Sequence, residues 1–432
     1  MLDETRTLRT AAPAPSSSAA SLASAAPQPT ARRSVWTTRF VVVGIVLAAL
    51  NLRPAITSLG ALLEEARVGL HMSGSVAGVL TSVPPLCFAV FGVAAPRLAR
   101  RFGPGAVVCA GMAAITVGLL VRPFAGGTAG FLAASALALM GIAVSNVLMP
   151  VIVKRYFPDR VGSMTGLYSM ALALGTSLAA AATVPVTQAL GGSWRVGLAV
   201  WAAVAAVAVL PWIAVVRDRD RARPSAAAAA AEDVPAPRMT RSPTAWALGC
   251  FFGLQATGAY ITMGWMPQIF RDAGVSASTA GVLLAVTMVM GVPLAFVIPR
   301  LASRMKNQGP IVIALGVCGL AGYLGLLLAP VAGAWLWALL LGVSNCAFPL
   351  ALTMIGMRSR TGAGVVRLSA FAQSTGYLLS IPGPLLVGVL YQHSGGWTLP
   401  LGLMAGLLVP QMIVGVMAGR DRTIEDETRV RD

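Results

Sequence analysis

The amino-acid sequence predicts an all-α membrane protein in which twelve transmembrane helices form two parallel six-helix repeats. Three observations support this prediction. The first is composition: 56% of the 432 residues are hydrophobic and 11% are charged, and the mean hydropathy is +0.77, values typical of an integral membrane protein. The second is that apolar stretches long enough to cross a bilayer recur along the chain. The third is that short patterns in the first half return in the second half.

The chain begins with residues 1–34, which are rich in Ala, Ser and Pro and predict a disordered cytoplasmic tail. An apolar segment of the kind that a secretory signal needs does not occur before Phe40. Apolar stretches of about twenty residues follow, each long enough to cross a hydrocarbon core of roughly 30 Å as a helix. The twelve predicted spans cover residues 40–59, 75–95, 105–121, 130–152, 163–189, 196–216, 244–267, 279–299, 310–329, 333–356, 368–391 and 397–418.

A long polar segment, residues 217–243, divides the twelve spans into six and six and predicts a cytoplasmic linker. Four patterns match across it in the same order: SGSVAGVL with SASTAGVL, PRLARR with PRLASR, VSNVLMP with VSNCAFP, and GGSW with GGW. Because an ordered set of matches indicates duplication, we expect one six-helix bundle over residues 35–216 and a second over residues 244–419. A cytoplasmic tail is predicted over residues 420–432.

The basic residues lie almost entirely on one side of the predicted helices. Of the 32 lysines and arginines, 27 fall in the tails, the linker and the loops on their side, and Arg53 falls inside the first span. The other side holds Arg67, Arg122, Arg195 and Arg271. Since basic loops stay in the cytoplasm, we expect a multi-pass protein of the plasma membrane with both termini cytoplasmic. The net charge of +17 therefore reflects orientation and does not indicate a nucleic-acid surface.

A polar group interrupts the first span, FVVVGIVLAALNLRPAITSL, at Asn51, Arg53 and Thr57. Insertion scales put a central arginine at about 2.5 to 3.5 kcal/mol unfavourable, so such a residue normally faces a bundle interior or a watery cavity. Pro54 beside it permits a bend. Two interpretations stay open: a cation that faces the substrate, or a structural arginine that binds carbonyls or extends toward the nearer surface.

The predicted arrangement resembles the major facilitator superfamily, whose parallel halves hold the substrate near the membrane midplane. The sequence GVAAPRLARR after the second span is similar to the loop signature of that superfamily at Gly92, Arg97, Arg100 and Arg101. Pro96 stands where the family has an acidic residue, and an alanine stands where it has a second glycine. The three arginines are therefore predicted either as a gating loop or as basic anchors of a helix end.

Four longer segments resemble one branch of this superfamily, the cyanate permeases and nitroimidazole transporters. They are LNLRPAITSLGALL, LTSVPPLCFAVFGVAAPRLARRFG, GIAVSNVLMPVIVKRYFP and AFAQSTGYLLSIPGPLLVGVL. The resemblance covers about residues 35–419. It implies transport of a small solute, but members of the branch are thought to carry different solutes, so it does not identify this one.

In the superfamily the first, fourth, seventh and tenth spans line most of the cavity, which implies that their rare polar residues contact the substrate. A buried amide without a partner costs several kcal/mol in hydrocarbon, so each needs a helix neighbour or a wet cavity. For Asn146 and Asn345, at matching positions of the two repeats, an interhelical clamp is an equal alternative. The predicted substrate-binding residues, with two from the eleventh span, are Arg53, Asn51, Asn146, Gln255, Tyr260, Asn345, Gln373 and Tyr377.

All fifteen carboxylates fall in tails or loops, so no acid is expected mid-membrane to balance Arg53, and the cavity is predicted to be positive. The five cysteines lie in different spans without the spacing of a metal site, and His71 and His393 fall near the outer face. A phosphate-binding Gly-Lys motif does not occur. We therefore expect no catalytic residues, no metal and no cofactor.

Prolines inside the spans predict where helices bend. Pro84 and Pro85 are expected to interrupt the second span, Pro293 the eighth, and Pro382 with Pro384 the eleventh. Bends of this kind let helices rock and open the two ends in turn.

These features favour a secondary active transporter of a small anionic or polar solute that works by alternating access. Its expected partners are the solute and the lipid bilayer, with a coupling proton left open and no nucleic acid. Within transport, the alternative is efflux of the multidrug or nitroimidazole type, although such pumps generally use an intramembrane acid. Outside transport, the alternative is a non-transporting membrane sensor.

Overall fold

The computed structural model describes residues 35–217 and 239–429, and the regular structure within these ranges is helical. Residues 1–34, the predicted amino-terminal tail, lie outside the described residues. So do residues 218–238, which make up most of the predicted linker.

The first six predicted spans form six helical paths. The first path is broken into α1 (Val35–Asn51) and α2 (Pro54–Ala61), and the short helix α3 (Leu63–Gly69) follows it. Each of the other five is one helix: α4 (Gly74–Phe102), α5 (Pro104–Val121), α6 (Thr128–Tyr156), α7 (Val161–Ala189) and α8 (Trp194–Arg217).

The second half repeats the six paths with more interruptions. Its first path is α9 (Pro243–Asp272), and the next is divided into α10 (Ala277–Val289) and α11 (Gly291–Arg304). The remaining helices are α12 (Gly309–Leu328), α13 (Ala334–Asn345) with α14 (Ala347–Met357), α15 (Gly362–Ser380) with α16 (Pro382–Ser394), α17 (Thr398–Ala418) and the short α18 (Ile424–Arg429).

Eleven of the described helical stretches are long and apolar enough to cross a membrane. The remaining predicted span, residues 244–267, forms α9, a helix of 30 residues, 22 of which are buried. At about 1.5 Å per residue α9 is also long enough to cross a bilayer. Because other helices surround it, α9 tolerates polar residues such as Gln255 and Gln268 that a lipid-facing helix would not carry.

Proline positions explain two of the predicted breaks and contradict a third. The helix breaks at Met290, three residues before Pro293, and at Ile381, next to Pro382. The expected interruption at Pro84 and Pro85 is wrong, because α4 runs unbroken through both. Both prolines are buried against neighbouring helices, and a membrane helix held in this way accommodates the missing N–H donors.

The repeated asparagine–proline pattern shows how the halves differ. In the second half the helix breaks at Cys346, three residues before Pro349. In the first half the matching Pro150 lies inside α6, which is continuous. The break beside Asn345 therefore has no counterpart beside Asn146.

The halves meet closely on the side opposite the ends of the chain. We call the side on which α1 begins and α17 ends the terminal side, and the other the distal side. On the distal side, a Cβ atom added at Gly60 would lie 2.1 Å from the carbonyl oxygen of Met263. Glu65 accepts from Arg271 across the halves at 2.9 Å, and the Ser75 N–H donates to Gln392 Oε1 at 2.8 Å. These contacts close the distal side.

The segment after α17 folds back onto the terminal side of the second half. Glu427 of α18 accepts hydrogen bonds from Ser242 Oγ at 2.5 Å and Thr244 Oγ1 at 2.6 Å, at the start of α9. Glu425 accepts from Ser359 Oγ at 2.6 Å, just after α14. Residues 420–429 of the predicted carboxyl-terminal tail are thus packed against the bundle.

Candidate functional site

A cavity of about 200 Å³ lies between the halves, at the depth where the interrupted helices break. Arg53, at the break of the first path, and residues 169–176 of α7 form the wall contributed by the first half. In the second half, Asn345 lies at the break between α13 and α14, and Gly291 at the break between α10 and α11. Irregular backbone is tolerated inside a membrane protein where it lines a cavity. The helix breaks therefore lie where the cavity can satisfy their free backbone groups.

The cavity extends toward the terminal side. Ala295 and Leu352 line it from positions on α11 and α14 that lie beyond the breaks, toward the terminal ends of those helices. On the distal side the inter-half contacts at Gly60 and Glu65 close the path. The structure is therefore a state with its distal side closed and its cavity directed to the terminal side.

Arg53 contributes a positive charge to the cavity wall. It is the residue before α2, and Pro54 at the first helical position disrupts the helix there, which places the guanidinium at mid-depth. The guanidinium carbon lies 6.0 Å from the centroid of the Tyr260 ring, within cation–π range. Tyr377 and Tyr168 are its other titratable neighbours. Across residues 35–217 and 239–429, Arg53 forms no ion pair with a carboxylate.

Aromatic side chains support the cavity beside Arg53. Tyr260 and Tyr377, two of the predicted residues, both line it and are both largely buried. The Tyr377 ring stacks on Phe88 at 4.8 Å and meets Phe252 edge to face at 5.2 Å. Rings packed in this way have few accessible rotamers, so the wall next to the cation is preorganised.

An amide network holds Asn345 in the cavity wall. Gln255 Nε2 donates to the Asn345 carbonyl oxygen at 3.0 Å and to Asn345 Oδ1 at 2.9 Å. Gln255 Oε1 in turn accepts from Gln411 Nε2 of α17 at 2.9 Å. Asn345 lines the cavity, whereas Gln255 lies behind it as a support. The Asn345 Nδ2 group donates to no other described residue, so it remains available as a donor.

Two predicted residues of the first half have their partners elsewhere. Asn51 is buried and donates to the carbonyl oxygens of Leu47 at 2.7 Å and of Val204 at 3.4 Å, which connects α1 to α8. Asn146 accepts a hydrogen bond from the Tyr168 hydroxyl. Neither asparagine lines the cavity. In this structure Asn51 connects α1 to α8, and Asn146 connects α6 to α7.

Gln373 of α15 also lies outside the cavity lining. Its Nε2 donates to Ser369 Oγ at 2.7 Å, one turn earlier in the same helix. The spacing of four residues places the two side chains next to each other on one helix face, so this pair is a local contact.

Two hydroxyl side chains of the cavity lining are not among the predicted substrate-binding residues: Ser169 and Thr176 of α7. They are seven residues apart, which places them on the same face of a helix two turns apart. In the sequence, only this spacing indicated that the two residues share a helix face. Because weakly polar residues are common in membrane helices, the spacing alone could not show that this face lines the cavity.

Arg122 was expected in a distal loop, and the structure corrects this expectation. The 3₁₀ turn Arg122–Phe124 after α5 directs the side chain inward, where only 2% of it is exposed. Its Nη1 donates to the carbonyl oxygen of Ala55 at 2.9 Å. The first half therefore holds a second buried cation beside the broken helix.

Arg97, Arg100 and Arg101 lie at the terminal end of α4 and are exposed. The Arg101 guanidinium carbon lies 5.1 Å from the Phe102 ring centroid. None of the three forms an ion pair with a carboxylate in the described part of the chain. Their gating role remains a prediction.

Eight carboxylates fall in the described ranges, and none of them lines the cavity. They lie in α3, at the ends of helices and in α18. The described residues also contain no group of three or more His, Cys, Asp or Glu side chains arranged to hold a metal ion. The chemistry of the cavity is therefore set by one guanidinium, hydroxyls, an amide, the Cys346 thiol and apolar groups.

Comparison with known proteins assigns the chain to a family. Residues 41–364 match the model of the Major Facilitator Superfamily. An uncharacterised transporter of Bacillus subtilis (strain 168) is 35% identical over 408 residues, which cover 93% of this chain and 97% of the relative.

Two relatives from Escherichia coli (strain K12) have described solutes. The 2-nitroimidazole transporter is 32% identical over 388 residues, 89% of this chain and 96% of that protein. The cyanate transport protein is 32% identical over 371 residues, 86% of this chain and 94% of that protein.

Solved structures of other transporters share the fold of this chain at low sequence identity. A bacterial homologue of the human lysosomal transporter Spinster, inward-facing and occupied, superposes with a TM-score of 0.67 at 15% identity, covering 90% of this chain and 97% of that chain. The nucleoside transporter NupG gives a TM-score of 0.69 at 14% identity, covering 88% of this chain and 98% of that chain.

Proposed function

Because this chain belongs to the Major Facilitator Superfamily and is a secondary active transporter of a small solute, we propose that the solute is anionic or polar and binds Arg53 in the cavity between the halves. Like its relatives, the chain is a transporter and not an enzyme.

The charge of Arg53, which no described carboxylate in the cavity lining balances, supports the proposal of an anionic solute. A guanidinium keeps its proton under all physiological conditions, and no described carboxylate lines the same cavity. An anion in the cavity would offset the cost of keeping this charge in the membrane, while a cation would add to it. The planar guanidinium offers two parallel N–H donors, which suits a carboxylate or another small anion with two acceptor atoms.

Asn345 and Tyr377 complete the proposed site on the side of the second half. The amide N–H₂ of Asn345 has no partner among the described residues, and its oxygen accepts from Gln255. Tyr377 contributes a rigid ring at the cavity wall. A solute held between Arg53 and Asn345 would touch both halves, which is what alternating access requires of a substrate.

The proposal is tested with purified protein in proteoliposomes. A thermal-shift screen of small monovalent anions against their neutral analogues identifies a ligand, and its uptake is then measured for the wild type, Arg53→Gln and Arg53→Lys at matched protein levels. We expect uptake to fall at least tenfold in Arg53→Gln. In Arg53→Lys it should recover only in part, because the lysine ammonium cannot donate two parallel hydrogen bonds as a guanidinium does.

Arg195→Gln is the matched control, since this arginine is exposed on the distal side and does not line the cavity. In the wild type, uptake of a weak acid should follow its ionised fraction as the pH is varied. Normal uptake by Arg53→Gln, or equal uptake of neutral analogues by the wild type, would contradict the proposal.

Any proton that accompanies the solute must use an unusual carrier. Among residues 35–217 and 239–429, Asp, Glu and His side chains are absent from the cavity lining. We therefore propose that a coupled proton travels on cavity water beside the anionic solute. A pH gradient across the proteoliposome would then drive uptake of the anion of a strong acid as well as that of a weak acid.

A second candidate is a flat neutral solute of the nitroimidazole kind, moved outward. The observation that favours it is the apolar part of the cavity lining, which includes Phe348, Met263 and Leu172. The relative that transports 2-nitroimidazole is as similar to this chain as the cyanate transport protein. Transport of 2-nitroimidazole that persists in Arg53→Gln would identify this solute class.

We also propose that the chain lies in the plasma membrane with both termini in the cytoplasm. The distal side carries almost no free positive charge: Arg67 pairs with Glu64 at 2.7 Å, Arg271 pairs with Glu65, and Arg122 is buried. The terminal side holds the clustered basic residues, which supports a cytoplasmic position for that side.

A further inference from the structure

A second cavity, of about 20 Å³, lies beside the first and is enclosed by α2, α4, α6, α9 and the turn after α5. We propose that it is a binding site for a monatomic anion of chloride size, held by Arg122 and Ser135 and covered by Tyr260. This site is distinct from the solute cavity, although Tyr260 lines both.

The charge of Arg122 has no counter-charge among the described residues. The residue is 2% exposed, and its Nη1 and Nη2 atoms donate to neutral acceptors, the Ala55 carbonyl oxygen at 2.9 Å and Ser58 Oγ at 3.4 Å. It forms no ion pair with any carboxylate in the described ranges. A buried guanidinium remains charged, and an uncompensated buried charge is strongly unfavourable. A bound anion supplies the missing charge.

Two buried polar atoms at this cavity lack a protein partner. In the described part of the chain, Arg122 Nε and Ser135 Oγ are buried and make no hydrogen bond. Ser135 is 1% exposed. Both residues line the same small cavity, and both can donate a hydrogen bond. Convergent donors around a cation form an anion site.

The size of the cavity limits the ligand to a small ion. A cavity needs about 10–15 Å³ to hold one water molecule, so 20 Å³ admits one particle of that size or slightly larger. Polyatomic anions such as sulfate and carboxylates exceed this size, which leaves a monatomic halide as the anion to test. A single water could satisfy some of the donors, but it would leave the charge of Arg122 uncompensated.

The site also depends on the conformation. Arg122 and Ser135 belong to the first half, whereas Tyr260 and Gly264 are contributed by α9 of the second half. The cavity is therefore complete only when the halves meet on the distal side. A ligand that binds one state better shifts the population toward that state, so the anion should stabilise the distal-closed form.

The test uses the purified full chain in detergent, with thermal unfolding followed while chloride or bromide replaces gluconate at constant ionic strength. We expect a saturable rise in unfolding temperature for the wild type and for Arg53→Gln, and its loss in Arg122→Met, which keeps the length of the side chain. Arg195→Met is the control, because Arg195 also donates to a carbonyl oxygen, that of Pro123 at 3.1 Å, but lies outside the cavity.

Crystals grown in bromide provide a second readout, an anomalous peak among Arg122, Ser135 and Tyr260. Should Arg122→Met fail to fold, Ser135→Ala replaces it and is expected to weaken the apparent halide affinity several-fold. The proposal is overturned by a wild type that shows neither halide dependence nor a bromide peak, since the cavity then holds water. It is equally overturned if the halide effect disappears in Arg53→Gln and persists in Arg122→Met.

Discussion

Gln255 is a residue whose importance does not depend on touching the solute. It accepts from Gln411 and donates twice to Asn345, so it links three helices through one side chain. Asn345 is the member of this network that lines the cavity. Removing Gln255 would leave both partners without their hydrogen bonds and release the orientation of Asn345.

We predict that Gln255→Leu lowers both stability and solute affinity. A lost buried hydrogen bond costs about 1–3 kcal/mol when its partner stays unsatisfied, and in membrane bundles the average pair contributes about 0.6 kcal/mol. The unfolding temperature should therefore fall modestly, and the Kd of the solute should rise several-fold. Both are measured by thermal shift with and without ligand.

Gln373→Leu is the matched control, because Gln373 donates to Ser369 within its own helix and lies outside the cavity. It should leave the Kd unchanged. An effect of Gln373→Leu equal to that of Gln255→Leu would show that the amide network has no special role in orienting Asn345.

At the scale of helices, the distal closure depends on the contact of α2 with α9. A Cβ atom at Gly60 would lie 2.1 Å from the Met263 carbonyl oxygen, so an alanine cannot be accommodated without separating the two helices. We predict that Gly60→Ala disfavours the distal-closed state and slows transport, because distal closure is a step of alternating access.

The change is measured by the distance between spin labels at Val68→Cys and His393→Cys, two exposed distal positions in opposite halves. In Gly60→Ala the distance distribution should shift to longer values. Gly258→Ala is the control on α9, because a Cβ atom there would meet no other atom within 4 Å. Unchanged distances in Gly60→Ala would mean that this contact does not control the closure.

The docking of α18 should depend on pH through Glu425. Burial raises the pKa of Glu425, but hydrogen bonds from the Ser359 hydroxyl, the Arg360 N–H and Thr423 outweigh it and hold the pKa below its usual value. A depressed pKa means that the contribution to stability is present above the unfolded value of 4.5 and is lost as the pH falls through the lower folded value.

We predict that hydrogen exchange in residues 424–429 is slow at pH 7 and, after correction for intrinsic rates, faster below pH 4. Glu425→Gln should give the faster exchange already at pH 7. Asp159→Asn, at an exposed position far from α18 in the sequence, should not. Equal protection of α18 at both pH values would rule out this role of Glu425.

At the scale of the whole molecule, the distribution of charge predicts the orientation. In cells that express a cysteine-free background, Ser193→Cys lies in an exposed distal loop and Lys306→Cys in an exposed terminal loop. A membrane-impermeant thiol reagent should label Ser193→Cys in intact cells and Lys306→Cys only after permeabilisation. The reverse pattern would place the termini outside the cytoplasm.

The sequence by itself determined the membrane class, the helical spans and the internal repeat. These follow from hydropathy and local pattern, because a bilayer of fixed thickness requires apolar stretches of fixed length. It also located Arg53, since a charge inside an apolar span is visible without knowledge of neighbours. Pro293 and Pro382 marked two of the breaks for the same local reason.

Only the tertiary structure decided which polar residues line the cavity. Asn146 and Asn345 occupy equivalent positions of the repeat, yet only Asn345 lines it, beside a break that the first half lacks. The sequence predicts a loop position for Arg122, but in the structure its side chain is buried against α2. The direction of a side chain in a bundle depends on how each helix is rotated and packed against its neighbours. That information lies in contacts between residues far apart in the chain.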